Sequence, residues 1–170
     1  MSVTHYVHPI HGICRKIGTQ VRDFGDESRT YVELRVDASP SGRPALSVLL
    51  PEEEILEHVR ETVEPAVAKA AMAAFQDGQD SPIVTAGSWR SRVARSEAAI
   101  NEGDLAKLAR VYRDLELRHA DRGLSNTERQ TADKIHDLIV GELVGAFGWE
   151  VDRAVSEVAS RLGPVHLQAA

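Results

Sequence analysis

Three groups of side chains in this chain have the types and spacings that could do chemistry. The first is Ser88-Trp89-Arg90-Ser91-Arg92-Val93-Ala94-Arg95, a tryptophan among three arginines, with no carboxylate between Asp80 and Glu97. Arginines hold phosphates, and a flat apolar ring can wedge against or between bases, so this stretch suits a nucleic-acid contact. The same residues also suit a core tryptophan that opens a helix whose solvated face carries the arginines. Trp is highly buried on average, and these eight residues by themselves favour that second reading.

The second group is His5, His8, His11 and Cys14, which recur every third residue. Metal ligands must converge on one point. On a strand a spacing of three throws successive side chains to opposite faces. A helix would align them, but Pro9 and Gly12 lie inside the run. No metal site is expected, and His11 is read as a turn or packing residue. His119, His136 and His166 are read as surface residues.

The third group is the carboxylates. None sits in an apolar stretch that would raise its pKa for acid–base work. Neither a G-x-x-x-x-G-K nucleotide loop nor a G-x-S-x-G elbow is present. These features predict no enzyme, no cofactor and no small-molecule substrate. Glu52, Glu53, Glu54, Glu57, Glu61 and Glu64 fit a solvated helix better than an acidic protein-binding face.

The elements that must position these residues follow from composition and pattern. The chain has 170 residues, 42% hydrophobic and 27% charged, which is globular composition. It is long enough to bury about 70% of its unfolded surface. Aromatics are only 5% and the formal net charge is −6. Residues 1–83 hold 8 basic and 13 acidic side chains, and residues 84–170 hold 12 and 13. Bulk electrostatics therefore oppose strong autonomous DNA binding, and any such contact must be local or assisted by a partner. The lone Cys14 fits a reducing cytoplasm. The opening Met-Ser-Val-Thr-His predicts no signal peptide, and no stretch has the roughly 20 apolar residues of a membrane span.

Val32, Leu34 and Val36 alternate with charged residues, as do Leu46, Val48 and Leu50 with their neighbours. Ile13, Ile17, Thr19 and Val21 share one parity. Period two predicts half-buried strands over the first fifty residues, punctuated at Pro9 and Gly12, at Phe24-Gly25-Asp26 and at Ser39-Pro40-Ser41-Gly42. From Pro51 the period changes. Pro51-Glu52-Glu53-Glu54 reads as a helix start, with Ile55, Val59 and Val63 on one face. An alanine-rich helix follows Pro65 to about Phe75, and 77–82 is a loop. Ser88, Asp104 and Ser125 are N-caps, the last in a capping box with Glu128. Leu105, Leu108, Tyr112 and Leu115 line one helix. Ile135, Leu138, Ile139, Leu143 and Phe147 line the next, which Gly148 ends. Trp149 is expected in the helical core, and a last helix from about Glu150 should bury Val151, Ala154, Val155 and Val158 until Gly163-Pro164. The predicted organisation is α+β: a β domain at 1–50, a helical connection and loop at 51–87, a helical domain at 88–163 and a tail at 164–170.

Several short motifs then fall into order. Trp89-Arg90-Ser91-Arg92, Gly103-Asp104, Val111-Tyr112-Arg113-Asp114-Leu115, Arg122-Gly123-Leu124-Ser125 with Glu128, and Leu138-Ile139-Val140-Gly141-Glu142-Leu143 follow one another. His8-Pro9-Ile10-His11-Gly12 and Tyr31-Val32-Glu33-Leu34 precede them. Over about residues 5–162 this resembles the CarD/CdnL family of bacterial transcription regulators. The resemblance implies a small N-terminal Tudor-like β-barrel that docks on the β subunit of RNA polymerase, followed by an all-α helical bundle domain. It implies that a tryptophan of the bundle wedges at the upstream edge of the transcription bubble and stabilises the open promoter complex. The protein would then work as a monomer in the cytoplasm, associated with the nucleoid through polymerase, binding promoter DNA weakly alone.

By position, the resemblance makes Trp89 the wedge, with Arg90, Arg92, Arg95, Arg129 and Lys134 as its DNA-contacting neighbours. Arg22, His11 and Leu49 fall at the polymerase-binding positions. The departures are specific: Leu49 stands where some members carry a docking arginine, and Val93 and Ala94 replace an aromatic and a lysine beside the wedge. Segments 39–44 and 52–64 are also unlike the family pattern. Two other readings differ in class. One is a polymerase- or protein-binding interaction module without DNA contact, and the other is a metal-dependent enzyme built on His5, His8 and His11.

Overall fold

A computed structural model describes residues 5–8, 10–37, 42 and 44–163. The expectations for residues 1–4, Pro9, Ser39-Pro40-Ser41, Pro164, His166 and the tail at 164–170 lie outside the described residues. The chain divides into two compact units, Met1–Val63 and Glu64–Ala170.

The first unit is an antiparallel sheet of β1 (His5–His8), β2 (Gly12–Phe24), β3 (Glu27–Val36), β4 (Leu46–Pro51) and β5 (Arg60–Glu61), in the order β4-β3-β2-β1-β5. The predicted alternation is realised. Val32, Leu34, Val36 and Leu50 are buried with Tyr6, Cys14 and Val59, and Leu46, Val48 and Ile55 pack against them. Among the described residues the sheet does not close into the expected Tudor-like barrel: β4 lies at one edge and the two-residue β5 at the other. Closure needs a continuous ladder, and β5 is paired only with β1.

Strand β2 departs from its expected parity. The ladder with β3 shifts register between Lys16 and Gly18. The extra residue at this bulge reverses which parity faces the core. Cys14 is buried before it and Thr19 sits opposite buried Val32 after it, while Ile13 is half-buried and Ile17 and Val21 are exposed.

The helix expected from Pro51 is also cut short. A 3₁₀ turn at Glu52–Glu54 leads into α1 (Ile55–His58), and Val59 is already extended at φ −138°, ψ 157°. Burial of Val59 in the sheet core and pairing of Tyr6 with Glu61 outweigh the helical pattern. Residues 51–63 therefore belong to the β unit, not to a connection starting at 51.

The second unit holds α2 (Pro65–Ala74), α3 (Trp89–Glu102), α4 (Leu105–Arg122), α5 (Asn126–Phe147) and α6 (Val151–Leu162). Its boundary lies before α2, because Ala68, Ala71, Met72 and Phe75 are buried within this unit. The caps form as read. Ser88 Oγ accepts from Ser91 N at 3.1 Å, Asp104 Oδ1 accepts from Lys107 N at 3.1 Å, and both arms of the Ser125–Glu128 box are present. Gly103 and Gly148 end α3 and α5 in the left-handed region, which glycine enters without penalty.

Leu105, Leu108, Tyr112 and Leu115 are all buried, as are Ile135, Ile139 and Leu143. Each such side chain contributes about 1.5–3 kcal/mol on leaving water. Leu138 and Phe147 are half-buried. On α6, Ala154 and Val158 are buried but Val155 is half-buried and Val151 is exposed, since it starts the first turn. Trp149 is also only half-buried. It stacks on Phe147 at 4.5 Å with the Arg153 guanidinium 4.3 Å from its ring centre.

Candidate nucleic-acid interface

Trp89 is the first residue of α3, directly after its Ser88 cap. It is 40% exposed, so the core reading does not hold. The Arg90 guanidinium sits 4.9 Å from the centre of its ring. Such a contact is worth about 0.5–1 kcal/mol at an exposed site and holds a cation against an apolar face. Arg90 is itself exposed and, among the described residues, has no carboxylate partner.

The other basic residues expected at DNA are engaged within the unit. Arg92 is 7% exposed, and its Nε donates to Glu128 Oε1 at 2.6 Å. Glu128, 3% exposed, also takes Ser125 N at 3.0 Å and Ser125 Oγ at 2.8 Å on Oε2. Burial pushes this carboxyl's pKa up. The hydrogen bonds from Arg92 and Ser125, together with the Arg92 charge, outweigh that and hold it below the ordinary glutamate value. Arg92 is therefore corrected from a phosphate contact to a buried clasp, because leaving would break the shortest hydrogen bond to a buried carboxylate, whose other cation, Arg118, lies 3.8 Å away.

Arg95 donates through Nη1 to Pro82 O at 2.7 Å and to Thr85 Oγ1 at 2.8 Å, fastening the loop that leads into α3. Arg129 bonds Glu116 and lies 3.6 Å from Asp133. Lys134 Nζ lies 3.1 Å from Glu97. Arg95, Arg129 and Lys134 thus have partners within the unit, while Arg95 and Lys134 stay exposed and Arg129 half-buried. Of the six residues, Trp89 and Arg90 touch each other at the exposed start of α3.

The loop before α3 is strapped further back by α4. Arg113 donates to Asp114 at 2.7 Å, to Gln79 O at 2.5 Å and to Ala74 O at 3.4 Å. Asp114 Oδ2 accepts from Ser81 N at 2.9 Å, and Asp77 pairs with Arg110 at 2.7 Å. The Arg110 hydrogen bond leads the interactions that hold the Asp77 carboxyl below the ordinary aspartate value. The sequence offered Glu128 as a cap and Arg113-Asp114 as a motif, but not their partners. Unlike charges concentrated in separate motifs were the available signal, and spacing alone could not pair them.

In the β unit, Arg22 is exposed and lies 5.9 Å from the centre of the Tyr31 ring, with Phe24 at 6.3 Å from the same ring. Leu49 is half-buried on edge strand β4, opposite Glu33. His11 sits in the β1–β2 turn, half-buried. Its N–H donates to His8 Nδ1 at 3.3 Å, as Ile10 N does at 3.1 Å, and the two rings lie 4.6 Å apart.

Cys14 Sγ donates to Tyr6 O at 3.5 Å, and burial pushes its thiol pKa up to about 11. Among the described residues, no group of three or more His, Cys, Asp or Glu is arranged to hold a metal ion. His136 is a correction: it is largely buried, 5.5 Å from the Tyr112 ring. His119 is half-buried rather than a surface residue. Glu116, Glu128 and Glu142 are buried in the helical unit, the first two bonded to Arg129 and Arg92.

The chain thus joins an antiparallel sheet unit to a capped helical unit that carries an exposed aromatic–cation pair at the start of α3. The model of the CarD C-terminal domain matches residues 72–159, from inside α2 to near the end of α6. A Bacillus subtilis (strain 168) protein named "Putative transcription factor YdeB" is 24% identical over 138 residues, which cover 81% of this chain and 85% of that protein. The chain belongs to the CarD family.

Proposed function

We propose that this protein is a transcription regulator. In this reading the unit at 1–63 binds the RNA polymerase β subunit, and the helical unit stabilises the open promoter complex by wedging Trp89 at the upstream edge of the bubble. The observation that carries the reading is the exposed Trp89 with Arg90 over its ring, on a turn where Arg92 is buried against Glu128. Family membership and the name of the Bacillus relative support the transcriptional role.

The physics fits a partner-assisted wedge. Inserting a ring unstacks a base step at a cost of a few kcal/mol, recovered only on DNA that is already distorted. A residue that prefers the melted fork over intact duplex shifts the equilibrium towards the open complex. With a net charge of −6, affinity for DNA must come through polymerase, which raises the effective concentration of Trp89 at the fork. On this reading the protein acts as a monomer in the cytoplasm and catalyses nothing. Arg22, His11 and Leu49 are the polymerase-side candidates.

A second reading has its own support. Arg92, Arg95, Arg129 and Lys134 all have partners inside the helical unit, which leaves little basic surface for phosphates. A pure interaction module would look the same. Open-complex lifetime on a promoter fragment, with polymerase from the same organism, separates the two. The wedge reading expects a longer lifetime that is lost in Trp89→Ala with polymerase binding retained, and an effect that falls as salt rises. Unchanged lifetime with intact polymerase binding selects the interaction module.

A further inference from the structure

We propose that the Arg92–Glu128 pair is the positioning device for Trp89: it locks the first turn of α3 to the first turn of α5 and so fixes the direction in which the ring is presented. The inference deepens the wedge reading and rests on it for its functional meaning, but its physical content concerns the free protein.

Arg92 follows Trp89 by three residues, so the two side chains lie one above the other on neighbouring turns of α3. The first turn of a helix has unsatisfied N–H groups and is where fraying begins. Here Ser88 supplies one side-chain cap, at Ser91 N. Trp89 is 40% exposed, so burial of its own ring can hold this turn only in part. The anchor beneath it is a guanidinium that is almost fully buried and bonded at 2.6 Å to a carboxylate 36 residues away.

That carboxylate is fixed in turn. One oxygen of Glu128 serves Arg92, with Arg118 Nε of α4 at 3.8 Å, and the other closes the capping box on Ser125 N and Oγ. The start of α3 is therefore tied to the start of α5 through a group that also nucleates α5. A wedge on a loose turn would swing aside when pressed against a base step, because unstacking resists more strongly than a frayed turn. A fixed turn transmits the push.

The experiment uses the full chain with Trp149→Phe, which leaves Trp89 as the sole tryptophan. Acrylamide quenching and emission anisotropy of Trp89 are measured for this parent, Glu128→Gln, Arg92→Lys and Arg92→Leu/Glu128→Leu. Far-UV circular dichroism at the same temperature reports folding. Glu128→Gln keeps a capping-box residue while removing the charge that Arg92 requires.

The expected result is a quenching constant about two-fold higher, with lower anisotropy, in Glu128→Gln and in the double variant at unchanged helix content, as nanosecond freedom replaces a fixed turn. Arg92→Lys should recover part of the parent behaviour. Equal quenching and anisotropy in parent and Glu128→Gln would overturn the proposal, whatever happens to thermal stability. If the double variant does not fold, Glu128→Gln decides alone. Open-complex lifetime with the same variants keeps the two claims apart. A loosened Trp89 whose removal leaves lifetime unchanged refutes the wedge reading only. A Trp89-dependent lifetime that survives Glu128→Gln, with Trp89 still fixed, refutes the positioning role only.

Discussion

The Arg90 guanidinium lies 4.9 Å from the centre of the Trp89 ring, while Arg92, two residues on, is buried against Glu128. Adjacent basic residues of one helix turn thus have opposite assignments, one towards solvent and one into the unit. The contrast fixes which substitutions should alter binding and which should alter stability.

Trp89 and Trp149 should respond differently to truncation. Trp89→Ala removes an exposed ring and should change unfolding free energy by about 0.5 kcal/mol or less, as surface substitutions do. Trp149→Ala removes a ring stacked on Phe147 and capped by Arg153, and should cost about 2 kcal/mol. Urea denaturation of both variants checks the difference, and equal costs would mean that Trp89 is structural.

Arg92→Leu should be among the most destabilising single substitutions at this site. It removes the nearest cation from the buried Glu128 carboxylate, which keeps its two Ser125 hydrogen bonds and Arg118 Nε at 3.8 Å, and loss of one such charged hydrogen bond typically costs about 1.5–3 kcal/mol. Arg92→Leu/Glu128→Leu should recover only part of that loss, because the capping box goes with Glu128 and the buried Arg118 Nε loses its carboxylate neighbour. A double-mutant cycle by chemical denaturation reads the coupling, and additive costs would refute a direct pair.

Acid should weaken the helical unit through Glu128. Its folded pKa lies below the ordinary value, so the stability it contributes is complete above about pH 4.3, the unfolded value, and is lost as pH falls through the folded one. Asp77 shifts in the same direction. Thermal unfolding between neutral pH and about pH 3 should show a shallower acid slope in Glu128→Gln than in the parent.

The β unit should show a separate dependence at milder pH. Burial first, then His11 and His58, lowers the His8 pKa from its ordinary 6.5. Its Nδ1 accepts from Ile10 N and His11 N, so only the neutral ring can close the turn. The contribution is therefore full above 6.5, begins to fall as pH drops below that value and is lost through the lower folded pKa. His8→Asn keeps an acceptor without a proton to gain. Amide exchange at Ile10 and His11 should rise with acid in the parent and stay flat in the variant, allowing for the intrinsic pH dependence of exchange.

Most of the helical unit is legible along the chain. Ser88, Asp104 and the Ser125–Glu128 box each act within four residues, and the apolar stripe from Leu105 to Leu115 is a local period, so both are written along the chain. The alternation of Val32, Leu34 and Val36 was legible for the same reason. The bulge at 16–18 and the end of α1 at His58 were not, because each is imposed by partners across the sheet.

Tertiary structure alone decided which arginines are available. Arg90, Arg92 and Arg95 are equivalent in composition and close in spacing. The first meets solvent and a ring, the second a carboxylate 36 residues away, and the third the loop before its own helix. A charge is placed by whatever neutralises it, and that partner can lie anywhere the fold brings near. Side-chain type and spacing specify the candidates for a binding surface, and packing selects among them.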